Sequence, residues 1–190
     1  MRPVRIAVLA SGSGTILDAI LTDGIPVELV VVDRPCEATA VAARHERPAV
    51  VAERTSFGAA FDRVAYTEGI VDLLESADID LVVMAGFGTI LAKPIFDRFA
   101  GHVLNTHPAL LPAFPGWHAV EDALSYGVKV TGCTVHVATE EVDAGPILAQ
   151  QAVAVRPDDT VESLHERIKA VERQLYIQTI REILQRGSVQ

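Results

Sequence analysis

A chain of 190 residues, almost half of them apolar and 5% aromatic, is long enough to bury a sizeable and mostly aliphatic core. Its net charge of −9 argues against general nucleic-acid binding, and its two cysteines, Cys36 and Cys133, have neither metal-ligand nor disulfide-framework spacing. No apolar run suits a signal peptide or a membrane span, so the expectation is a soluble cytoplasmic protein with no membrane partner, its cysteines buried in a reducing compartment.

Residues 4–9 form an apolar run ending in ASGSG, which predicts a buried strand and then a turn. A helix is expected over 15–22. Residues 27–32 read as a second strand rich in β-branched side chains, 38–46 as a helix and 49–52 as a short strand. Helical character runs over 59–76. A strand over 81–84 is followed by AGFG, and another over 103–106 leads straight into LNTHPALLPAFPG. Residues 119–126 read as a short helix closed by Gly127. Two longer strands follow, over 129–137 and 147–155, with no helix between them. The last helix spans 160–185, where Val161, Leu164, Ile168, Val171 and Leu175 step by three and four along one face.

Strands alternating with helices predict an α/β fold with helices on both faces of a doubly wound, mostly parallel twisted sheet. The two late strands predict an antiparallel edge, and the chain ends on a long helix. One domain is expected over 1–190. In such sheets ligands lie beyond the carboxyl ends of the strands, and SGSGT, AGFG and NTHPALLP all fall there.

Each motif has two readings on its own residues. SGSGT is an anion cradle, with Gly12 and Gly14 admitting close approach to the backbone, or a tight turn capped by Thr15. It lacks the third glycine of a dinucleotide site and the Lys-Ser/Thr of a P-loop. Asn105 and His107 alternate along a strand end, so they face one way and can present an amide donor and an imidazole acid to a carbonyl. The bland reading is a turn asparagine and a surface histidine. Three prolines and a glycine within residues 108–116 stiffen that loop. Asp143, in TEEVDAGPIL, sits in a tight turn, and a carboxylate there would favour the imidazolium of His107 if the two met. Glu172 lies on the flank of the last helix's apolar stripe, placed to pair with Lys169 or Arg173 or to reach a ligand. His45 and His165 read as helix-surface residues, and His102, His118 and His136 have weaker contexts than His107.

Taken together, VLASGSGT, DLVVMAGF, LNTHPALLPAFPG, TGCTVHVATEEVDAGPILAQ and ERIKAVERQLY resemble the folate-dependent formyltransferases, and within them the glycinamide ribonucleotide branch. The resemblance runs almost end to end. It implies a Rossmann-like formyltransferase fold, and formyl transfer from the co-substrate 10-formyltetrahydrofolate to the amine of 5-phosphoribosylglycinamide in purine biosynthesis, by a monomer or homodimer acting on small molecules without a metal. It implies that Asn105, His107 and Asp143 are catalytic, with Asn105 also touching folate. Ser13, Gly14, Thr15, Ile16 and Leu17 would hold the ribotide phosphate through backbone amides, and Glu172 would contact the ribotide. Folate would lie against Gly88, Thr89, Ile90 and Leu91 and against Thr139, Glu140, Glu141, Val142 and Asp143, with Arg63 at a further folate position. Transfer to another amine, such as a sugar nucleotide, and hydrolysis of the formyl-folate are the alternatives. The chain leaves the family pattern at Gly88 and Thr89, where Met-Arg is usual, at Ile16, where Asn is common, and at Ala113 and Val120.

Overall fold

Four strands in this computed structural model are hydrophobic almost throughout, and that composition dictates where they go. The structure describes residues 2–56 and 58–189. The chain divides into two units, Met1–Leu104 and Asn105–Gln190.

In the first unit, β1 (Ile6–Ala10) is fully buried along its length, and in β2 (Val27–Val32) only Glu28 is partly exposed. A strand with no polar alternation must be covered on both faces, which is the condition of a parallel sheet under helices. β1 pairs in parallel with β2 on one side and with β4 (Leu81–Met84) on the other. β3 (Ala49–Val51) extends the sheet beyond β2, and Val103 and Leu104 of β5 (Val103–His107) extend it beyond β4. The order is therefore β3-β2-β1-β4-β5. Succession reverses at β1, so the topological switch point lies between β1 and β4, where ligands bind in open α/β sheets. The connecting helices pack in two pairs, α1 (Thr15–Thr22) on α2 (Glu37–Arg44) and α3 (Arg63–Ser76) on α4 (Lys93–Arg98). Right-handed crossovers on either side of a reversal place such pairs on opposite faces of a sheet.

The second unit takes over within β5. Beside it runs β6 (Val130–Val137), which pairs antiparallel with β7 (Ile147–Ala154). α5 (Ala119–Tyr126) and the 26-residue α6 (Val161–Arg186) cover this hairpin. Thr160 and Ser163 form a reciprocal capping box that starts α6. The expected doubly wound sheet, its antiparallel edge and its long last helix are all present.

Three details differ from the sequence reading. α3 begins at Arg63, because the Asp62 carboxylate accepts the Ala65 amide and caps it there, and a 3₁₀ turn at Gly58–Ala60 precedes it. α4 was not expected: six residues are too few to show a helical period. α1 is not capped by Thr15, which is its first helical residue; Gly14 occupies the cap position with a left-handed φ of 70°.

Gly14 also explains how α1 and α2 come so close. A Cβ built there would lie 2.9 Å from the Ala38 Cα and 3.0 Å from Val41 Cγ2. Neither neighbour is the loose end of a flexible side chain. Gly14→Ala should therefore cost about 2 kcal/mol or more, read as a lower urea midpoint with an unchanged slope. A variant as stable as the parent would show that this contact yields easily.

Candidate active site

β5 sorts its last residues by alternation. Asn105 and His107 share one face, and Thr106 lies on the other. Thr106 donates its hydroxyl to Glu172 Oε1 of α6 at 2.8 Å, while the Asn105 amide nitrogen stands 3.2 Å from His136 Nε2.

The surroundings of His107 give each ring nitrogen a partner. Its side chain is 5% exposed, as is that of Asp143. Nε2 lies 2.7 Å from the Phe114 carbonyl, which can only accept, so Nε2 carries a hydrogen. Nδ1 faces Asp143 Oδ2 at 3.3 Å. A bare Nδ1 would turn its lone pair on a carboxylate. Both ring nitrogens thus face acceptors, the Phe114 carbonyl on one side and the Asp143 carboxylate on the other. The Gly116 amide donates to the same Oδ2 at 2.8 Å and holds it in place.

His136 was passed over in the sequence reading, yet it stands at the centre of the group. It is 1% exposed in β6, with Nε2 3.7 Å from Asp143 Oδ1. Burial lowers its pKa, more than the Val137 carbonyl and the Asp143 charge raise it. It is therefore neutral around pH 7. Its Nδ1 lies 3.1 Å from the Val137 carbonyl, so the single hydrogen sits on Nδ1 and Nε2 is an acceptor. That fixes the Asn105 amide: one N–H goes to His136, and the second points elsewhere as a free donor. A signal was there to be read. TGCTVHV places a histidine in a strand otherwise apolar or small, where a polar ring needs partners.

The loop after His107 is anchored through Thr134, fully buried on β6. Its hydroxyl donates to the Ala109 carbonyl at 2.7 Å and accepts the Leu111 amide at 3.0 Å. Gln150 of β7 donates to the Leu111 carbonyl at 2.9 Å and to the same hydroxyl at 3.0 Å. The Leu111–Pro112 bond within this loop is cis. The Asp143 loop is clamped from its other end. Val137 donates to the Pro146 carbonyl at 2.9 Å, and Gly145 passes so close that a Cβ would fall 1.8 Å from the Val137 oxygen. Asp143 itself adopts φ 58°. Glu140, Glu141 and Val142 are exposed, while Thr139 turns its hydroxyl back onto the Glu141 carbonyl.

Glu172 is not on the flank of the α6 stripe. Leu164, Ile168, Glu172, Tyr176 and Ile180 step by four and are all buried, so Glu172 stands in the middle of the inward row. Lys169 turns to Glu166 instead. Burial raises the Glu172 pKa, more than the Thr106 hydroxyl and the charges of Arg173 and Lys169 lower it. Burial, followed by the Glu172 charge, pushes the Cys133 thiol up to about 12, which leaves it inert.

The other residues expected at a site belong to the first unit. Ser13 and Thr15 are exposed, Gly14 is buried in contact with α2, and Leu17 is a core residue, so its part in any ligand contact is limited to its backbone. No side chain caps α1, and the amides of its first turn are left to a ligand or to solvent. In Gly88–Leu91 only Ile90 exposes its side chain, while Thr89 and Leu91 are buried. Arg63 is exposed at the start of α3. Its carbonyl accepts the Thr67 hydroxyl, which in turn accepts the Ala92 amide, linking that helix to the 88–92 segment. Cys36, expected to be buried, is only half-buried before α2. Among the described residues, no group of His, Cys, Asp and Glu is arranged to hold a metal ion, and no helix is long and apolar enough to cross a membrane.

Residues 4–180 match the Formyl transferase family. A phosphoribosylglycinamide formyltransferase of Mycobacterium tuberculosis is 45% identical over 190 aligned positions, covering 97% of this chain and 87% of that protein. The crystal structure of glycinamide ribonucleotide transformylase 1 from Symbiobacterium toebii superposes with a TM-score of 0.91 at 39% identity, over 96% of this chain and 88% of that one. That of phosphoribosylglycinamide formyltransferase from Bacillus halodurans gives 0.90 at 37% identity, over 97% of each.

Glu172→Gln keeps the acceptor for Thr106 and removes the buried charge. Because burial raises the carboxyl pKa, the unfolded chain loses its proton first as pH rises, and the parent loses stability through that window. The variant should melt about 2–4 °C higher near pH 7, equivalent to about 1 kcal/mol, with the gap closing near pH 4. A gap independent of pH would remove the charge as its cause.

Proposed function

This chain belongs to the formyl transferase family, and from that membership and the geometry around His107 we propose that it transfers the formyl group of 10-formyltetrahydrofolate to the amine of 5-phosphoribosylglycinamide. On this reading residues 1–190 act as one formyltransferase domain in cytoplasmic purine synthesis. The observation that carries it is the run of contacts Asn105–His136–Asp143–His107, which sets one amide N–H and the His107 ring, backed by a carboxylate, on the same face of β5.

The amine attacks the formyl carbon, and the carbonyl oxygen becomes an oxyanion. The second N–H of Asn105 donates to that oxygen, and the His107 charge lowers its energy, both preorganised rather than recruited. Asp143 holds the imidazolium in place and compensates its charge. Collapse of the tetrahedral intermediate breaks the carbon–N10 bond, and the proton released by the amine passes to N10 through this group and water. The amides of Ser13 to Leu17 would take the ribotide phosphate, and Glu172 its sugar or glycinamide portion. Backbone groups of Gly88–Leu91, the Ile90 side chain, Arg63 and the 139–143 loop would receive the folate.

The purified protein should formylate glycinamide ribonucleotide, and His107→Ala should cut turnover by about a thousandfold; a variant with parental turnover would sink the mechanism. His136→Leu matches the ring's volume but offers no acceptor, so the Asn105 amide is free to rotate. Its kcat should fall about tenfold to a hundredfold, with KM for either substrate within about threefold. An unchanged kcat would leave His136 a structural residue only.

A further inference from the structure

The first unit carries a second buried carboxylate at a strand end, and none of the proposed roles uses it. Asp33, directly after β2, is 1% exposed. Thr89 donates its hydroxyl to Oδ2 at 2.8 Å, while Arg34 donates through Nε to Oδ1 at 3.0 Å and through Nη2 to Oδ2 at 3.2 Å. Burial would raise the Asp33 pKa, but the hydrogen bonds from Arg34, Thr89 and Ser11, with the Arg34 charge, outweigh it, and the group stays ionised.

Arg34 is held by this pairing without being used up. A guanidinium has five N–H groups; two serve Asp33, and the side chain is 52% exposed. It stands at the carboxyl end of β2, close to the ends of β1 and β4. Gly88 donates its amide to Ser11 Oγ at 2.6 Å, and a Cβ on Gly88 would lie 3.1 Å from Arg34 Nη2 and 3.4 Å from that hydroxyl. The two departures from the family pattern meet at this one pair. Gly88 lies close under the guanidinium, and Thr89 donates to the carboxylate that orients it. A planar donor group fixed on a buried carboxylate, beside the switch point of the sheet, is suited to an oxyanion.

Resting on the formyl-transfer reading, we infer that Arg34 is a specificity residue whose free N–H groups bind an anionic group of one substrate, a phosphate or a carboxylate. The ribotide supplies the first and the glutamate tail of folate the second. Steady-state kinetics of Arg34→Gln separate them. KM for one substrate should rise about tenfold or more, with kcat within about threefold. A rise for the ribotide assigns the phosphate, and a rise for the folate assigns the carboxylate. Unchanged KM for both overturns the inference. If Arg34→Gln does not fold, Arg34→Lys keeps a charge beside Asp33 but loses the fork, and should still raise the same KM at least about threefold; parental values overturn it. Calorimetric titration with ribose 5-phosphate and with p-aminobenzoylglutamate tests the residue apart from turnover. Weaker binding of one probe by the variant supports the inference, and equal binding of both overturns it. A wild-type protein inactive on glycinamide ribonucleotide would sink the functional reading alone.

Discussion

The second unit is organised around a carboxylate held against an imidazole where water scarcely reaches. Asp143 and His107 are each almost wholly buried, and neither is tolerable there alone. The Phe114 carbonyl forces a hydrogen onto one ring nitrogen, and the carboxylate calls for one on the other. Much of the nearby structure keeps that pair in register: the Gly116 amide on Asp143, the Gly145 passage against Val137, and Thr134 with Gln150 under the proline loop. His136 adds direction. Buried, neutral and bonded to its own neighbour's carbonyl, it gives the Asn105 amide one allowed orientation.

Both units solve the same problem. A buried acid is tied to a hydroxyl from another element: Glu172 to Thr106 across α6 and β5, and Asp33 to Thr89 across β2 and the segment after β4. The difference lies in whether a cation hydrogen-bonds the acid directly. Asp33 has Arg34 and stays ionised, whereas the row occupied by Glu172 is apolar and its carboxyl is pushed toward the neutral form. The charges of Arg173 and Lys169 do not offset the burial of Glu172, which leaves its carboxyl suited to a further donor, the role proposed for it.

Departure from a family pattern reads differently once packing is known. Taken singly, a glycine and a threonine after Phe87 look like the loss of a long side chain and a charge. In three dimensions they complement Asp33 and Arg34, more than fifty positions earlier in the chain. Such pairing is invisible to any window of sequence, because the partners are brought together by strand order rather than by spacing.

Local pattern determined much of this protein unaided. Apolar runs made β1, β2 and β4 parallel core strands, glycines marked the turns after β1 and β4, and the three-and-four stepping of α6 made it a helix. The motif around Asn105, His107 and Asp143 was legible because alternation along a strand and a tight turn each fix the direction of a side chain. Tertiary structure alone decided which polar groups meet. It moved Glu172 from the flank of its helix to the buried row, put His136 between Asn105 and Asp143, and gave Arg34 a fixed seat. The reason is physical. Periodicity reports which face of an element is buried, whereas hydrogen bonding inside the molecule depends on the neighbour that arrives, and that follows from topology and the requirement that buried polar groups be paired.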